Sequence, residues 1–126
     1  MTRTPRPGSP VRGSSTGRPV RVLLDLLGRR WALRVLWELR AERRSFRVLR
    51  ECCGAPSPTV LNERLRELRE AALVELVEGE GYGLTPHGRE LARHLLPLTR
   101  WAERWARQLR RDEAGSLRSS GSPRTH

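Results

Sequence analysis

No stretch of this 126-residue sequence comes near the ~20 consecutive apolar residues that a membrane-spanning helix needs. The first residues are mostly Arg, Pro, Gly and Ser, and they lack the apolar stretch of a secretory signal peptide. The only two cysteines, Cys52 and Cys53, are adjacent, so they cannot crosslink distant parts of the chain as in a secreted disulfide scaffold. We therefore expect a cytoplasmic protein without membrane contact.

Lysine is also absent, so arginine supplies all 25 basic side chains, against 14 acidic ones. Because this bias is as typical of GC-rich coding as of function, the net charge of +11 does not identify a partner by itself. Residues 1–18 and 110–126 hold very few apolar side chains, and such segments cannot offset the entropy cost of ordering. We predict a disordered basic arm at 1–18, one domain at 19–109 and a disordered tail at 110–126.

Helix signals follow one another through the first half of this domain. The first helix stops at Gly28, which we expect in the left-handed conformation typical of a helix C-terminus. A second helix follows at once and is apolar over so wide an arc that it must be central to the core. A short third helix follows Ser45, and after a Gly-Ala-Pro turn Ser57 as N-cap and Pro58 at N1 start a fourth.

The fourth helix has one apolar and one polar face. Its inward stripe, spaced i, i+4, i+7, i+11, consists of Leu61, Leu65, Leu68 and Ala72. The opposite face carries Thr59, Asn62, Glu63, Arg66 and Glu70. A helix, a tight turn and a helix with one polar face are the plan of a helix-turn-helix.

The second half of the domain predicts a hairpin and a long helix. Residues 73–77 alternate between apolar and polar side chains and are rich in β-branched types, which predicts a strand. Residues 79–81 are turn formers, and residues 82–85 are predicted to form the second strand of a hairpin. Thr85 and Pro86 then open a helix with the apolar stripe Leu91, Leu95, Leu98, Ala102, Trp105 and Leu109. We predict a mainly α fold with a small β-hairpin, the winged helix-turn-helix.

Four stretches of this sequence resemble the HxlR-type group of bacterial winged-helix transcription regulators, relatives of the MarR-like repressors. They are residues 24–31 (LDLLGRRW), 45–49 (SFRVL), 57–68 (SPTVLNERLREL) and 82–91 (YGLTPHGREL). The family patterns that they match read L-D-L-I-G-G-K-W, R-F-S-E-L, S-P-R-V-L-S-E-R-L-R-E-L and Y-S-L-T-E-L-G-R-E-L. Their agreement in order makes the resemblance specific, and it covers residues 18–106. It implies a DNA-binding dimer.

Two departures from the family pattern limit what can be transferred. Many members have a Cys-Pro pair before the first helix, and its thiol serves redox sensing in some of them. Here the pair is Arg18-Pro19, so that sensing mode is not inherited. The wing at residues 78–81 is short and acidic, so phosphates should repel its tip.

In this plan the fourth helix lies in the DNA major groove, where side chains near its N-terminus reach base edges. We assign DNA contacts on this helix to Ser57, Thr59, Asn62, Glu63 and Arg66. Arg66 suits guanine and Asn62 suits adenine, while Glu63 either accepts from cytosine N4 or only neighbours Arg66. Arginines beside this helix are expected to meet phosphates, the alternative being a solvated basic face: Arg43, Arg44, Arg47 and Arg50.

The last helix is more apolar than the end of a small domain needs, which indicates a subunit interface rather than a free surface. Together with the first helix it forms the expected homodimer interface, to which we assign Leu23, Leu27, Leu95, Leu98, Trp101 and Trp105. Packing within one chain is the alternative. Two-fold symmetry would present two recognition helices to a pseudo-palindromic promoter site.

Two further readings remain open at this point. The first makes Cys52 and Cys53 a redox or soft-metal switch, although the family register favours Cys53 as a buried apolar residue. The second is a winged helix used as a protein-interaction module with only non-specific DNA affinity. We expect no enzyme, metal or cofactor, because no triad, metal-ligand spacing or phosphate-binding glycine loop is present. The partners expected are double-stranded DNA and a second copy, with any small-molecule effector unknown.

Overall fold

The computed structural model describes the backbone of residues 17–121 and the side chains of residues 17–117. Its elements are α1 (Arg18–Leu27), α2 (Ala32–Ala41), α3 (Phe46–Cys52), α4 (Pro58–Glu70), β1 (Val74–Val77), β2 (Gly81–Leu84) and α5 (Pro86–Gly121). The predicted mainly α fold with a small hairpin is therefore confirmed. The arm predicted at residues 1–18 lies outside the described residues up to position 16, and Arg18 already belongs to α1.

The turn between α1 and α2 differs from the prediction. Gly28 ends α1 as expected, but its φ of −77° is right-handed, and its N–H donates to the carbonyl of Leu24 at 2.9 Å. The left-handed residue is Trp31, which precedes α2 with φ of +76°. A left-handed conformation costs an L-residue about 1–2 kcal/mol, so packing around this turn must hold it in place.

Both helices of the helix-turn-helix are capped by serines, of which Ser57 was predicted as an N-cap. The Ser45 hydroxyl accepts from the N–H of Val48, and the Ser57 hydroxyl accepts from the N–H of Val60, both at 3.2 Å. Each cap satisfies one of the backbone donors that a helix N-terminus leaves without an internal partner. These bonds fix where α3 and α4 begin.

The core of the first part of the chain lies between α2, α3 and α4. Leu61, Leu65 and Leu68 are fully buried, which confirms that stripe of α4. The stripe continues with Ala71 rather than the predicted Ala72. The reason is that α4 ends at Glu70 and Ala72 turns left-handed with φ of +62°, which removes it from the helical register.

The hairpin pairs β1 and β2 antiparallel, with Val74 opposite Leu84 and Val77 opposite Gly81. Arg44 adds a bridge to β2, because its N–H donates to the carbonyl of Tyr82 and its carbonyl accepts from the N–H of Tyr82. The approach is so close that a Cβ on Gly81 would lie 2.6 Å from the carbonyl oxygen of Arg44. The wing is thus tied to the segment between α2 and α3.

Helix α5 is capped by Thr85, whose hydroxyl accepts from the N–H of Gly88 at 3.0 Å and donates to the carbonyl of Ala72 at 2.6 Å. The tail predicted from residue 110 is instead helical as far as Gly121. Strong helix formers and a Gln108–Asp112 hydrogen bond at i, i+4 favour this extension. The chain divides into two compact units after residue 92, and most of α5 belongs to the second. Within the described residues, no helix combines the length and apolarity needed to cross a membrane.

Candidate nucleic-acid interface

Helix α4 presents its polar face to solvent, in the position of a recognition helix. Thr59 and Asn62 are exposed near its N-terminus, and Ser57 caps it. Backbone N–H groups at a helix N-terminus suit a phosphate, while exposed side chains of the first turns suit base edges. The three residues predicted to contact DNA at this end are therefore brought together on one accessible surface.

Arg66 lies further along the same face and is held by two carboxylates. Its Nε and Nη2 donate to Oε1 of Glu63 at 3.1 and 2.6 Å, and its Nη1 donates to Oε2 of Glu70 at 3.0 Å. The hydrogen bond from Arg66 lowers the pKa of Glu63 from its usual value, and the same contact with Glu63 raises the pKa of Arg66. Glu63 was predicted either to accept from a cytosine or only to neighbour Arg66, and in the structure it is bonded to Arg66.

The flank of α4, between its polar and apolar faces, carries a buried carboxylate. Glu67 has a side-chain exposure of only 8%, and its two oxygens pair with Nη1 of Arg29 at 2.8 Å and Nη1 of Arg64 at 2.6 Å. Arg29 lies in the turn between α1 and α2. This bridge therefore ties α4 to the turn between α1 and α2.

Arg43, one of the predicted phosphate contacts, is committed to the wing. Its guanidinium pairs with the carboxylate of Glu75, donates to the carbonyl of Gly81 at 3.0 Å and lies 3.6 Å from the carboxylate of Glu80. These contacts hold the hairpin against the end of α2. The phosphate contact of Arg43 stays a prediction, and a phosphate would have to compete with the acidic groups of the wing for this guanidinium.

Arg44 and Arg50 are also engaged within the protein. Arg44 has a side-chain exposure of 16%, and its Nε donates to the backbone carbonyl of Glu38 at 3.0 Å. Arg50 donates from Nε to the carbonyl of Pro56 at 2.6 Å, which closes the turn before α4. Of the four predicted phosphate arginines, only Arg47 projects into solvent, with a side-chain exposure of 77% and an ion pair to Glu51.

Arg69 lies on the same face as Asn62 and is not among the predicted DNA contacts. It follows Asn62 by seven positions, which places it about 20° from Asn62 around the helix axis. Its side chain is exposed, and none of the described residues pairs with it. With Arg66 and Glu70 it lines a recess of about 400 Å³ between α4 and β1. The i, i+7 spacing from Asn62 is the sequence signal that places Arg69 on the same helix face.

The tip of the wing is a short acidic turn, as the sequence predicts. Gly79 has φ of +80°, and Glu78 and Glu80 are exposed on either side of it. Behind the tip, Leu76 is 44% exposed and borders a recess of about 650 Å³. The repulsion of phosphates by this tip stays a prediction.

Comparison with known proteins assigns this arrangement to a family. The model of the HxlR-like helix-turn-helix matches residues 26–110, which is more than half of the chain. The chain belongs to the HxlR-like helix-turn-helix family. This confirms the resemblance inferred from the four sequence stretches.

Relatives of this HxlR-like chain are regulators by name. An uncharacterized HTH-type transcriptional regulator of Mycobacterium tuberculosis is 36% identical over 99 residues, and the match covers 74% of this chain and 60% of that relative. Quinone-bound YodB from B. subtilis is 28% identical with a TM-score of 0.65, and covers 69% of this chain and 97% of YodB. A structure named as a possible HxlR family transcriptional factor from Thermoplasma volcanium is 28% identical with a TM-score of 0.61. The match covers 68% of this chain and 82% of that one.

The cysteines of this HxlR-like chain differ in accessibility. Cys53 is buried, as the family register predicts, and burial raises the pKa of its thiol from 9.0 to about 11. A thiol with so high a pKa is almost fully protonated at neutral pH and is a poor nucleophile or metal ligand. Cys52 is half-buried, and no cluster of metal-ligating side chains occurs in the part of the chain that the structure describes.

Two apolar surfaces of the HxlR-like chain are exposed. In α1 the exposed large apolar side chains are Val20 and Leu24, whereas Leu23 is half-buried and Leu27 is 7% exposed. The assignment of Leu27 to a subunit interface is therefore wrong, because it packs into the core of its own chain.

In the unit that begins at Arg93, α5 carries the second apolar surface. Leu98, Trp101 and Trp105 are each about half exposed, and Leu95 is half-buried. The two indole rings stack with their centroids 5.6 Å apart and an interplanar angle of 12°. Exposed large aromatic side chains in a row are typical of protein–protein interfaces.

Proposed function

We propose that this protein is a transcription regulator that binds a specific double-stranded DNA sequence through α4. The observation that carries the proposal is the accessible first half of α4, where Thr59 and Asn62 project from a helix that Ser57 caps. Membership of the HxlR-like family and the names of the relatives support it. The proposed role places the protein in the cytoplasm with the DNA.

Fluorescence anisotropy tests this function. Labelled duplexes carry either the DNA upstream of the coding sequence or a scrambled sequence of the same composition, and each is titrated across a salt series. We expect a preference of about a thousandfold or more for the native sequence at physiological salt. Equal, steeply salt-dependent binding to both duplexes would instead support a protein-interaction module whose net charge alone attracts DNA.

Asn62 provides the sharper variant for this assay. If Asn62 pairs with an adenine, Asn62→Ala should lose about tenfold or more discrimination at one base pair, with unchanged discrimination elsewhere in the site. Glu90→Gln on α5 is the matched surface control. A variant protein that folds normally and keeps the full preference would remove Asn62 from the reading surface.

We further propose a homodimer whose interface covers the exposed apolar surface of α5. Two stacked indole rings and a leucine exposed on a single helix are costly to leave in water, and a second copy offers an identical apolar surface. Two copies would place two recognition helices about one DNA turn apart on a pseudo-palindromic site.

Light scattering coupled to size exclusion tests the dimer. Trp105→Glu should shift the protein to the monomer mass at micromolar concentration, whereas Glu103→Gln on the same helix should not. A Trp105→Glu protein that remains dimeric would contradict this surface as the interface.

A further inference from the structure

The recognition face of α4 carries as many acidic as basic groups from residue 63 onward. Glu63 and Glu70 oppose Arg66 and Arg69, and all four side chains are at least partly exposed. A helix face with no net charge gains little from the phosphates of a duplex, whatever the duplex sequence. The overall charge of +11 therefore does not describe the surface that would approach the bases.

Three of the five N–H groups of Arg66 are engaged by two carboxylates. Nε and Nη2 face Glu63, and Nη1 faces Glu70, with distances between 2.6 and 3.1 Å. A bidentate contact with guanine O6 and N7, or with a phosphate, uses two N–H groups on different nitrogens. A contact through Nε and Nη2 exchanges Glu63 for a nucleic-acid acceptor, whereas a contact through the two remaining N–H groups of Nη1 and Nη2 sets the acceptor beside both carboxylates.

The outcome of this exchange depends on the DNA. On a generic duplex, the released carboxylates of Glu63 and Glu70 stay near phosphates, which repel them. On a duplex that offers a guanine to Nε and Nη2 of Arg66 and a cytosine N4–H to Glu63, Arg66 and Glu63 both find new partners, and Nη1 of Arg66 keeps Glu70. We propose that Glu63 and Glu70 are specificity-determining residues that keep Arg66 from binding generic DNA. This inference rests on the proposed function of α4.

The expected size of the effect follows from the exposure of the cluster. The side chains of Arg66 and Glu63 are 41% and 44% exposed, so water screens their ion pair and the carboxylates restrain Arg66 without locking it. Releasing Arg66 allows about one further phosphate contact, which steepens the dependence of log affinity on log salt by about 0.9. We expect generic affinity at low salt to rise about threefold to tenfold.

The experiment measures the binding of a scrambled duplex to Glu63→Gln and Glu70→Gln proteins by anisotropy, between about 50 and 200 mM salt. Glutamine keeps the length of the side chain and its helix propensity while removing the negative charge. Glu90→Gln changes the net charge by the same amount on α5 and serves as control. All three substitutions are repeated in an Arg66→Gln background, and circular dichroism verifies folding.

Both α4 variants should bind the scrambled duplex more tightly than Glu90→Gln, and the excess should disappear without Arg66. Equal gains in all three variants would overturn the proposal, because net charge alone would then explain them. An excess that persists without Arg66 would overturn it as well. None of these readouts needs a specific site, so a failure to find one would count against the proposed function and not against this comparison.

Discussion

Replacement of Glu67 by glutamine tests whether the buried ion bridge holds the recognition helix in place. Removing one partner of a buried ion pair leaves the other charge uncompensated, which costs about 3–5 kcal/mol in fully buried cases. Here the side chains of Arg29 and Arg64 are 32% and 18% exposed, so water recovers part of the loss. We therefore expect Glu67→Gln to lower the free energy of unfolding by about 2–3 kcal/mol.

Urea denaturation followed by circular dichroism measures this loss from the shift of the transition midpoint at unchanged slope. Protein concentration is held constant, because a dimer would make apparent stability depend on it. Glu90→Gln is the surface control, and its change should stay within about 0.5 kcal/mol. In a double-mutant cycle with Arg29→Gln, the two losses should be less than additive, since each removes the same contact.

Two results would refute this reasoning. A Glu67→Gln protein within about 0.5 kcal/mol of the parent would mean that the bridge contributes no more than a surface ion pair. Strictly additive losses in the cycle with Arg29→Gln would mean that the two side chains do not depend on each other. Either result would remove the bridge as the element that positions α4.

Three further predictions concern single residues. Gly88→Ala should lower the free energy of unfolding by about 3 kcal/mol or prevent folding, because the added Cβ would lie 2.1 Å from the carbonyl oxygen of Leu73. Thermal melting measures this loss. Gly115→Ala is the control and should be neutral or stabilising, because its Cβ would meet no atom within 4 Å. Burial raises the pKa of Cys53, so the neutral thiol favours the folded state. Its contribution to stability should be complete below pH 9 and should be lost as the pH rises to about 11. Urea midpoints at several pH values, compared with those of Cys53→Ala, measure this loss. Arg69→Gln should weaken the binding of native and scrambled duplexes by a similar factor and reduce the salt slope by about 0.9, and a loss confined to the native duplex would contradict a phosphate contact.

Features of the fold that depend on neighbouring residues in sequence were predictable. Ser57 and Thr85 each cap a helix as expected, because a hydroxyl three residues before a free N–H needs no tertiary partner. The buried leucines of α4 follow from the helical period, and the place of the hairpin follows from the alternating residues and the turn formers between them. Local chemistry settles these elements.

Features that depend on packing between distant residues were not predictable. Glycine is the usual left-handed residue at the end of a helix, yet here Gly28 stays right-handed and Trp31 turns, so tertiary packing overrides the local preference. The end of α4 likewise moves Ala72 out of its predicted stripe. Leu27 could not be distinguished from an interface residue, because an apolar side chain suits a core and an interface equally.

The arginines present the same problem in the site itself. A guanidinium has five N–H donors in a planar fork, so it can satisfy backbone carbonyls at turns and helix ends as readily as phosphates. Arg43, Arg44 and Arg50 do so here, donating to carbonyls of β2, of α2 and of the turn before α4, respectively. Their charges remain, but these hydrogen bonds hold the side chains against the protein. The amino-acid sequence reveals how many arginine charges there are but not which N–H donors are already bonded within the protein. A count of arginines therefore overstates how many are available to DNA. Within the described residues near α4, Arg47 and Arg69 are the ones whose replacement should change the salt dependence of binding without first loosening the fold.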